Sequence, residues 1–488
     1  MVLQKAYDIV ERAHDNIHSI ISKNRKLSFA LASLFTVAAA FLFSYFSRHG
    51  LNLMHVIGIS IFCILIYSSI MNSSKSYRKA IVYAFVLSAA FQFYLAWQFI
   101  GVEHDINNQM NAATAIEEGR NIYTDVQSFY TKTPIHEGIE PLYTQEDFKG
   151  KIVEGDYYAG PVWTYISFLM LKLSKLFSAN FSTAIHFPMI IATLIIGFIL
   201  YKIMRHQKRS DKQTYFAIAM YLFNPVVLMV SGYHGQVDNL GIVFLVLYVY
   251  LLLRLNKITF FHNIILGFSL IVKAVTAPVM PFFVAKQKRF SRMVMLGIAV
   301  AIPYLFFLLT YPNADLKTKL SVIVPYGGVK HLWGYSRIEQ YLTITFDLQS
   351  VHDIFNYVYP AITILMFAAM LFYFLRRQDI GYVDGIILSN LFFFAFSSGF
   401  GIQYFLWVMP FFALKANEEK FRKFYFAFIV LSGVMALFFY YGNANRYYFI
   451  RDAISYSIIG VLLWLFMILF WLWFMKIGIT TKTKKSIS

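Results

Sequence analysis

Apolar residues in this chain come in long continuous runs separated by short polar breaks. The runs fall at about 28–47, 52–71, 80–101, 183–203, 214–231, 239–255, 260–285, 291–310, 352–375, 381–399, 402–416, 424–441 and 455–475. The hydrocarbon core of a bilayer is about 30 Å thick and a helix rises about 1.5 Å per residue, so roughly 17–25 apolar residues make one crossing. Only helices satisfy their own backbone polar groups within one segment in lipid. The pattern therefore predicts an all-α polytopic membrane protein of about 13 or 14 transmembrane segments.

Two segments break the simple pattern. Residues 161–177 (PVWTYISFLMLKLSKLF) are apolar but carry Lys172 and Lys175. They predict an amphipathic helix lying at the membrane surface, because a full span would carry the basic run Lys202–Lys212 to the wrong side. The run 260–285 lies between Lys257 and Lys286, so both its ends belong on one side. Pro278 and Pro281 mark where a broken span or a hairpin of short helices would turn.

The composition sharpens this. At 58% hydrophobic and 14% charged, the chain is no soluble globular enzyme, disordered regulator or secreted disulfide scaffold. The lone cysteine, Cys63, rules out a disulfide framework and a thiolate metal site. The net charge of +18 would point to nucleic acid in a soluble protein, but here it reports topology. About 29 of the 43 basic residues lie in the N-terminus, in alternate loops and in the C-terminal tail. All of these share one side if the N-terminus is cytoplasmic. The first 27 residues are polar and precede a long run, so no cleavable signal peptide is expected. The chain divides into a cytoplasmic segment (1–27), two N-terminal spans (28–79), a central module (80–420), and C-terminal spans with a basic tail (421–488).

The outer loop 102–160 reverses the charge, with 11 of the 25 acidic residues against four basic ones. Long polar loops on otherwise short-looped chains tend to carry function. This one opens with Glu103-His104-Asp105 directly after a span, either as a solvated loop start or as a general base at the membrane face. It continues with AIEEGRNIY and ends with YYAGPVWTYI. Tyr233-His234-Gly235-Gln236-Val237-Asp238 and Gln403-Tyr404-Phe405-Leu406-Trp407 with Pro410 begin or end apolar runs on the same side.

In that order these motifs resemble the GT-C superfamily of integral membrane glycosyltransferases, over about residues 80–420. They are similar in particular to the polyprenol-phosphate-mannose transferases, including the first mannosyltransferase of glycosylphosphatidylinositol assembly. The resemblance implies a polyprenyl-phosphate sugar as donor, a lipid or glycan acceptor, inversion at the anomeric carbon, and no metal or other cofactor. In the family two acids in a D-x-D arrangement open the loop; here they are Glu103 and Asp105, the first departing from Asp. Asp105 is the implied base. The GQVD turn is similar to that of bacterial and archaeal members, which implies a prokaryotic plasma membrane, with the endoplasmic reticulum as the alternative.

Other roles stay open between pocket and scaffold. Lys330, His331 and Arg337 are candidates for the donor phosphate or for lipid headgroups. Lys273, inside an apolar run, is a pocket cation, the partner of a buried acid, or a snorkelling side chain. Gln403 and Tyr404 contact lipid phosphate, order the loop, or pack. His234, Gln236 and Asp238 line a pocket, or Asp238 caps the helix that follows. Asp156 and Tyr157 would position the acceptor. The competing class is a lipid or solute transporter, which calls for buried charge at several helices and usually a repeat. No internal repeat is evident, and the acids concentrate in one loop.

Overall fold

The computed structural model describes residues 76–99, 101–119, 161–255, 259–287, 289–310, 333–346, 349–444 and 453–478. The expected spans 28–47 and 52–71, most of the acidic loop, and the segment holding Lys330 and His331 lie outside them. In chain order the helices are α1 (Tyr77–Gln98), α2 (Glu103–Glu117), α3 (Pro161–Leu176), α4 (Phe181–His206), α5 (Asp211–Leu222) and α6 (Pro225–Leu228). A π-helix (Met229–His234) follows, then α7 (Asp238–Leu255) and α8 (Phe260–Val272), a 3₁₀ turn (Ala274–Val279) and α9 (Met280–Ala285). The rest are α10 (Phe290–Thr310), α11 (Ser336–Phe346), α12 (Gln349–Arg376), α13 (Tyr382–Phe396), a 3₁₀ turn (Ile402–Trp407), α14 (Met409–Lys415), α15 (Glu419–Ala444) and α16 (Ala453–Gly478).

The chain is an all-α polytopic membrane protein. Among the described residues five helices are long and apolar enough to cross a bilayer, or six when the bent pair Asp211–Leu222 and Pro225–His234 is taken as one span. Several expected spans are instead shorter apolar helices, such as Phe290–Phe306 and Tyr382–Phe396. The run 402–416 is one of these: a 3₁₀ turn followed by a seven-residue helix, with Pro410 in the first turn of the helix.

Local chemistry explains the breaks. The 49° bend between α5 and α6 falls at Asn224-Pro225. Proline suits a first helical turn, and the Asn224 carboxamide oxygen accepts the Val226 backbone N–H at 2.9 Å. The run 260–285 breaks at Lys273, which is extended at φ −162° and ψ 150°. It does not break at the prolines. Pro278 is accommodated in the 3₁₀ turn and Pro281 in the first turn of α9, where a missing N–H costs little. The two halves form a hairpin. Lys273 reaches the start of α7, while Tyr248, deeper in α7, bonds Asn263 of α8 and meets the ring of Phe283 of α9.

The ends of the bundle differ chemically. One end collects ion pairs between basic side chains and a few acids: Arg78 and Arg205 with Asp211, Arg377 with Asp379, and Lys415 with Asp384. Lys286 donates there to the carbonyls of Gln378 and Ile380, closing the exposed end of α12. Between the ends lies an aromatic core. Phe412 of α14 meets Phe421, Phe424, Tyr425 and Phe428 of α15, and Phe424 in turn meets Phe470 and Phe474 of α16. A smaller apolar cluster joins α2, α3 and α4 through Ile106, Met110, Trp163, Phe181 and Ile185. It supports the opposite end.

Candidate functional site

Glu103 and Asp105 open helix α2 instead of a free loop. The reason is a 3.6-residue pattern inside the polar stretch: Ile106, Met110 and Ala113 fall on one face and are buried. The Asp105 carboxylate thus stands in the first turn of a helix, where the macrodipole favours it by about 0.3–1 kcal/mol, and not against the C-terminus of the preceding span. The side chain of Glu103 lies outside the described residues.

Asp105 meets His234. The imidazole Nε2 lies 2.7 Å from Asp105 Oδ2, with the histidine side chain 1% exposed and the aspartate 24% exposed. His234 ends the π-helix, and Gly235 follows it at φ 79°, a left-handed turn that suits glycine. A β-carbon there would stand 2.6 Å from Ile106 Cδ1, so the close approach of α2 also requires glycine. Along α2, Gln109 donates to the Gly235 carbonyl at 3.0 Å.

A second cluster lies three residues further on. Asp238 is fully buried at the start of α7. Its Oδ2 accepts from Lys273 Nζ at 2.7 Å and its Oδ1 from Trp407 Nε1 at 2.6 Å. Lys273 also donates to Gln236 Oε1 at 3.0 Å and sits 5.7 Å from the Tyr404 ring centroid. Tyr404 in turn stacks on Trp407 with centroids 4.0 Å apart. The helix break at Lys273 places its ammonium on a buried acid, and the 3₁₀ turn supplies the indole and the aromatic wall. His234, Gln236, Asp238, Lys273 and Tyr404 therefore converge. Lys273 is the partner of a buried carboxylate.

Two of the remaining candidates are buried. Arg337 is fully buried in α11 against α16, where a β-carbon on Gly460 would stand 3.0 Å from its Nε. Its segment is joined to the one before the 3₁₀ turn by an antiparallel bridge between Trp333 and Phe400 and by Ser336 N–H to Ser398 O at 3.0 Å. Gln403 is buried in the 3₁₀ turn, a position that fits the packing role. Asp156, Tyr157, Lys330 and His331 fall outside the described residues. Three participants escaped the sequence reading: Gln109, the indole of Trp407 as the donor to Asp238, and His186. The signal for His186 was its place within an apolar run, where an ionisable side chain needs a reason.

Helix α3 is clamped to α2 by Glu117, whose carboxylate accepts from Lys172 at 2.7 Å and Lys175 at 2.6 Å. Hydrogen bonds from Lys172 and Lys175 hold the Glu117 carboxyl below the usual carboxylate range. Tyr165, Leu169 and Leu176 are exposed on α3. Among the described residues no three His, Cys, Asp or Glu side chains gather as a metal-ligating group. No protein-family model, curated protein or solved structure matches the chain.

Proposed function

We propose that the chain is an inverting membrane glycosyltransferase. It would move one sugar, mannose in the first instance, from a polyprenyl phosphate to a hydroxyl of a lipid or glycan acceptor at the outer membrane face. The observation that carries this reading is the Asp105–His234 contact, in which the carboxylate is the accessible partner and the imidazole stands buried behind it. A proton on His234 Nε2 would hold Asp105 Oδ2 and orient the carboxylate toward the acceptor. Asp105 then takes the acceptor proton as its oxygen bonds to the anomeric carbon, and the bond from that carbon to phosphate breaks on the opposite face. The polyprenyl phosphate departs with the bonding pair. The order of the motifs around Asp105, His234–Asp238 and Gln403–Trp407 supports the same reading through its resemblance to the GT-C enzymes.

The test is transfer of radiolabelled mannose from polyprenyl-phosphate mannose by the purified chain, with membranes as acceptor source. Asp105→Asn is expected to lower the rate by about 10²–10⁴-fold, the usual worth of a positioned base. Transfer that survives this substitution unchanged removes Asp105 from the mechanism. A second reading, a lipid or solute transporter, is favoured by one feature: a buried ion pair at the break of a discontinuous helix. Solute flux into liposomes without sugar transfer would decide for it.

A further inference from the structure

The π-helix that carries His234 ends with three successive carbonyls that have no partner in their own helix. The contacts come from α4 for one and from α2 and the residue that caps it for the other two. His186 of α4 meets the Tyr233 oxygen through Nε2 at 3.0 Å. Val102 N–H, just before α2, meets the His234 oxygen at 3.4 Å. Gln109 of α2 takes the Gly235 oxygen. His186 is the only one of these donors that comes from α4, and its ring is fully buried, with Nδ1 facing the Ser182 carbonyl one turn back in its own helix. Two glycines in left-handed conformations make room for it. A β-carbon on Gly101 (φ 96°) would stand 3.3 Å from the ring and 2.7 Å from the Tyr233 oxygen. A β-carbon on Gly235 would stand 3.0 Å from Nε2. Both backbones that deliver the Asp105–His234 pair are therefore packed on one imidazole.

We infer that the neutral His186 ring, which has one N–H for the two carbonyls it faces, carries it on Nε2 toward Tyr233 and is the positioning residue of the Asp105–His234 pair. It fixes the last turn of the π-helix against α4, so that His234 meets the carboxylate delivered by α2. Phenylalanine at 186 fills the same space without a donor and frees the turn to rotate. A shift of about 1 Å at a reacting group costs about 10²-fold in rate. The role in catalysis rests on the proposed glycosyl transfer. The positioning itself does not.

The experiment has a readout for each. In lipid nanodiscs, the full chain labelled with ¹⁵N-histidine should show a low-field proton resonance from His234 Nε2–H bonded to a carboxylate. The signal is assigned by its loss in His234→Gln and Asp105→Asn. It is expected to vanish in His186→Phe and to return in His186→Gln, whose amide restores a donor. It should persist in Tyr304→Phe, which removes an interhelical hydrogen bond from α10 to the Leu270 carbonyl of α8, a bond that involves none of α2, α4 and the π-helix. Persistence of the resonance in His186→Phe overturns the inference. So does its loss in Tyr304→Phe, because any destabilisation would then suffice. Should His186→Phe not fold, His186→Asn, which shortens the side chain, takes its place with the same two outcomes. In the transfer assay His186→Phe should lower kcat about 10²-fold with the acceptor KM little changed. Absence of transfer by the wild-type chain defeats the glycosyltransferase reading, while the resonance still decides the role of His186.

Discussion

The buried pair between Lys273 and Asp238 should be far more costly to break than to delete. At 2.7 Å the attraction is about 6 kcal/mol for an effective dielectric of about 20. Desolvation of each ion takes back several kcal/mol, so the intact pair adds little net stability. The partners are unequal: the Lys273 side chain is 14% exposed and that of Asp238 is 0% exposed. Lys273→Met keeps most of the stem volume and strands the carboxylate in the bundle, where among the described residues the Trp407 indole is its remaining side-chain donor. The expected loss is about 3–5 kcal/mol. Adding Asp238→Asn removes the stranded charge while leaving an oxygen for Trp407, so the double variant should recover to within about 1–2 kcal/mol of wild type. Unfolding in mixed micelles of rising dodecyl sulfate content, followed by tryptophan fluorescence, measures all three. A single variant within about 0.5 kcal/mol of wild type would refute the reasoning, since that is the spread of a neutral surface change. So would a double variant as weak as the single, because the loss would then lie in geometry and not in charge.

Two further perturbations test the supports of the site. Gly101→Ala places a methyl 2.7 Å from the Tyr233 carbonyl oxygen at a φ of 96°, and should cost about 2–3 kcal/mol in the same titration, well above an ordinary helix substitution. The clamp of α3 onto α2 should depend on pH in one direction. Glu117 has a lowered pKa in the folded chain, so its pairing with Lys172 and Lys175 is complete above the ordinary glutamate value of about 4.3 and is lost as pH falls through the lowered one. Glu117→Gln should abolish that dependence at a cost of under about 1 kcal/mol, as for other exposed pairs. Proteolysis within residues 120–160, followed against pH, reports the release of α3.

What could be read in advance and what could not follow from the range of the interactions. Continuous apolar runs and one-sided lysines and arginines are local signals, and they located most of the helices and the shared end of Asp105, His234–Asp238 and Gln403–Trp407. Helix α2 was hidden because NNQMNAATAIE reads as polar loop, although Ile106, Met110 and Ala113 hold a helical period within it. The break at Lys273 was assigned to Pro278 and Pro281 because proline is the local breaker. The structure places it at Lys273, whose ammonium meets an acid 35 residues earlier in the chain. Partners such as Asp105 with His234, or Trp407 with Asp238, are separated by 129 and 169 residues, and only packing brings them together. Arg337 shows the converse. An arginine in a glycine-rich loop reads as exposed, yet Gly460 on α16 leaves the space in which it is buried.

The charges at this end bear on how a donor phosphate would be held. Among the described residues, the charged side chains of the two clusters are the carboxylates of Asp105 and Asp238 and the ammonium of Lys273, already shared between Asp238 and Gln236. A phosphate arriving beside Lys273 would compete for it with the fully buried carboxylate it is paired with, at the cost worked out above. Recognition of a leaving phosphate calls for donors that strengthen as its charge grows, and a lysine bound to an aspartate in every state supplies no such difference. On the glycosyltransferase reading Lys330 and His331, which lie outside the described residues, are candidates for the countercharge. Lys330→Ala should raise the KM for polyprenyl-phosphate mannose about tenfold or more and leave unfolding within about 0.5 kcal/mol of wild type. Lys273→Met should do its damage in the unfolding titration. If the roles reverse, with Lys273→Met stable but weak for donor and Lys330→Ala without effect, then the ion pair opens for the phosphate, and the hairpin that holds Lys273 moves during turnover.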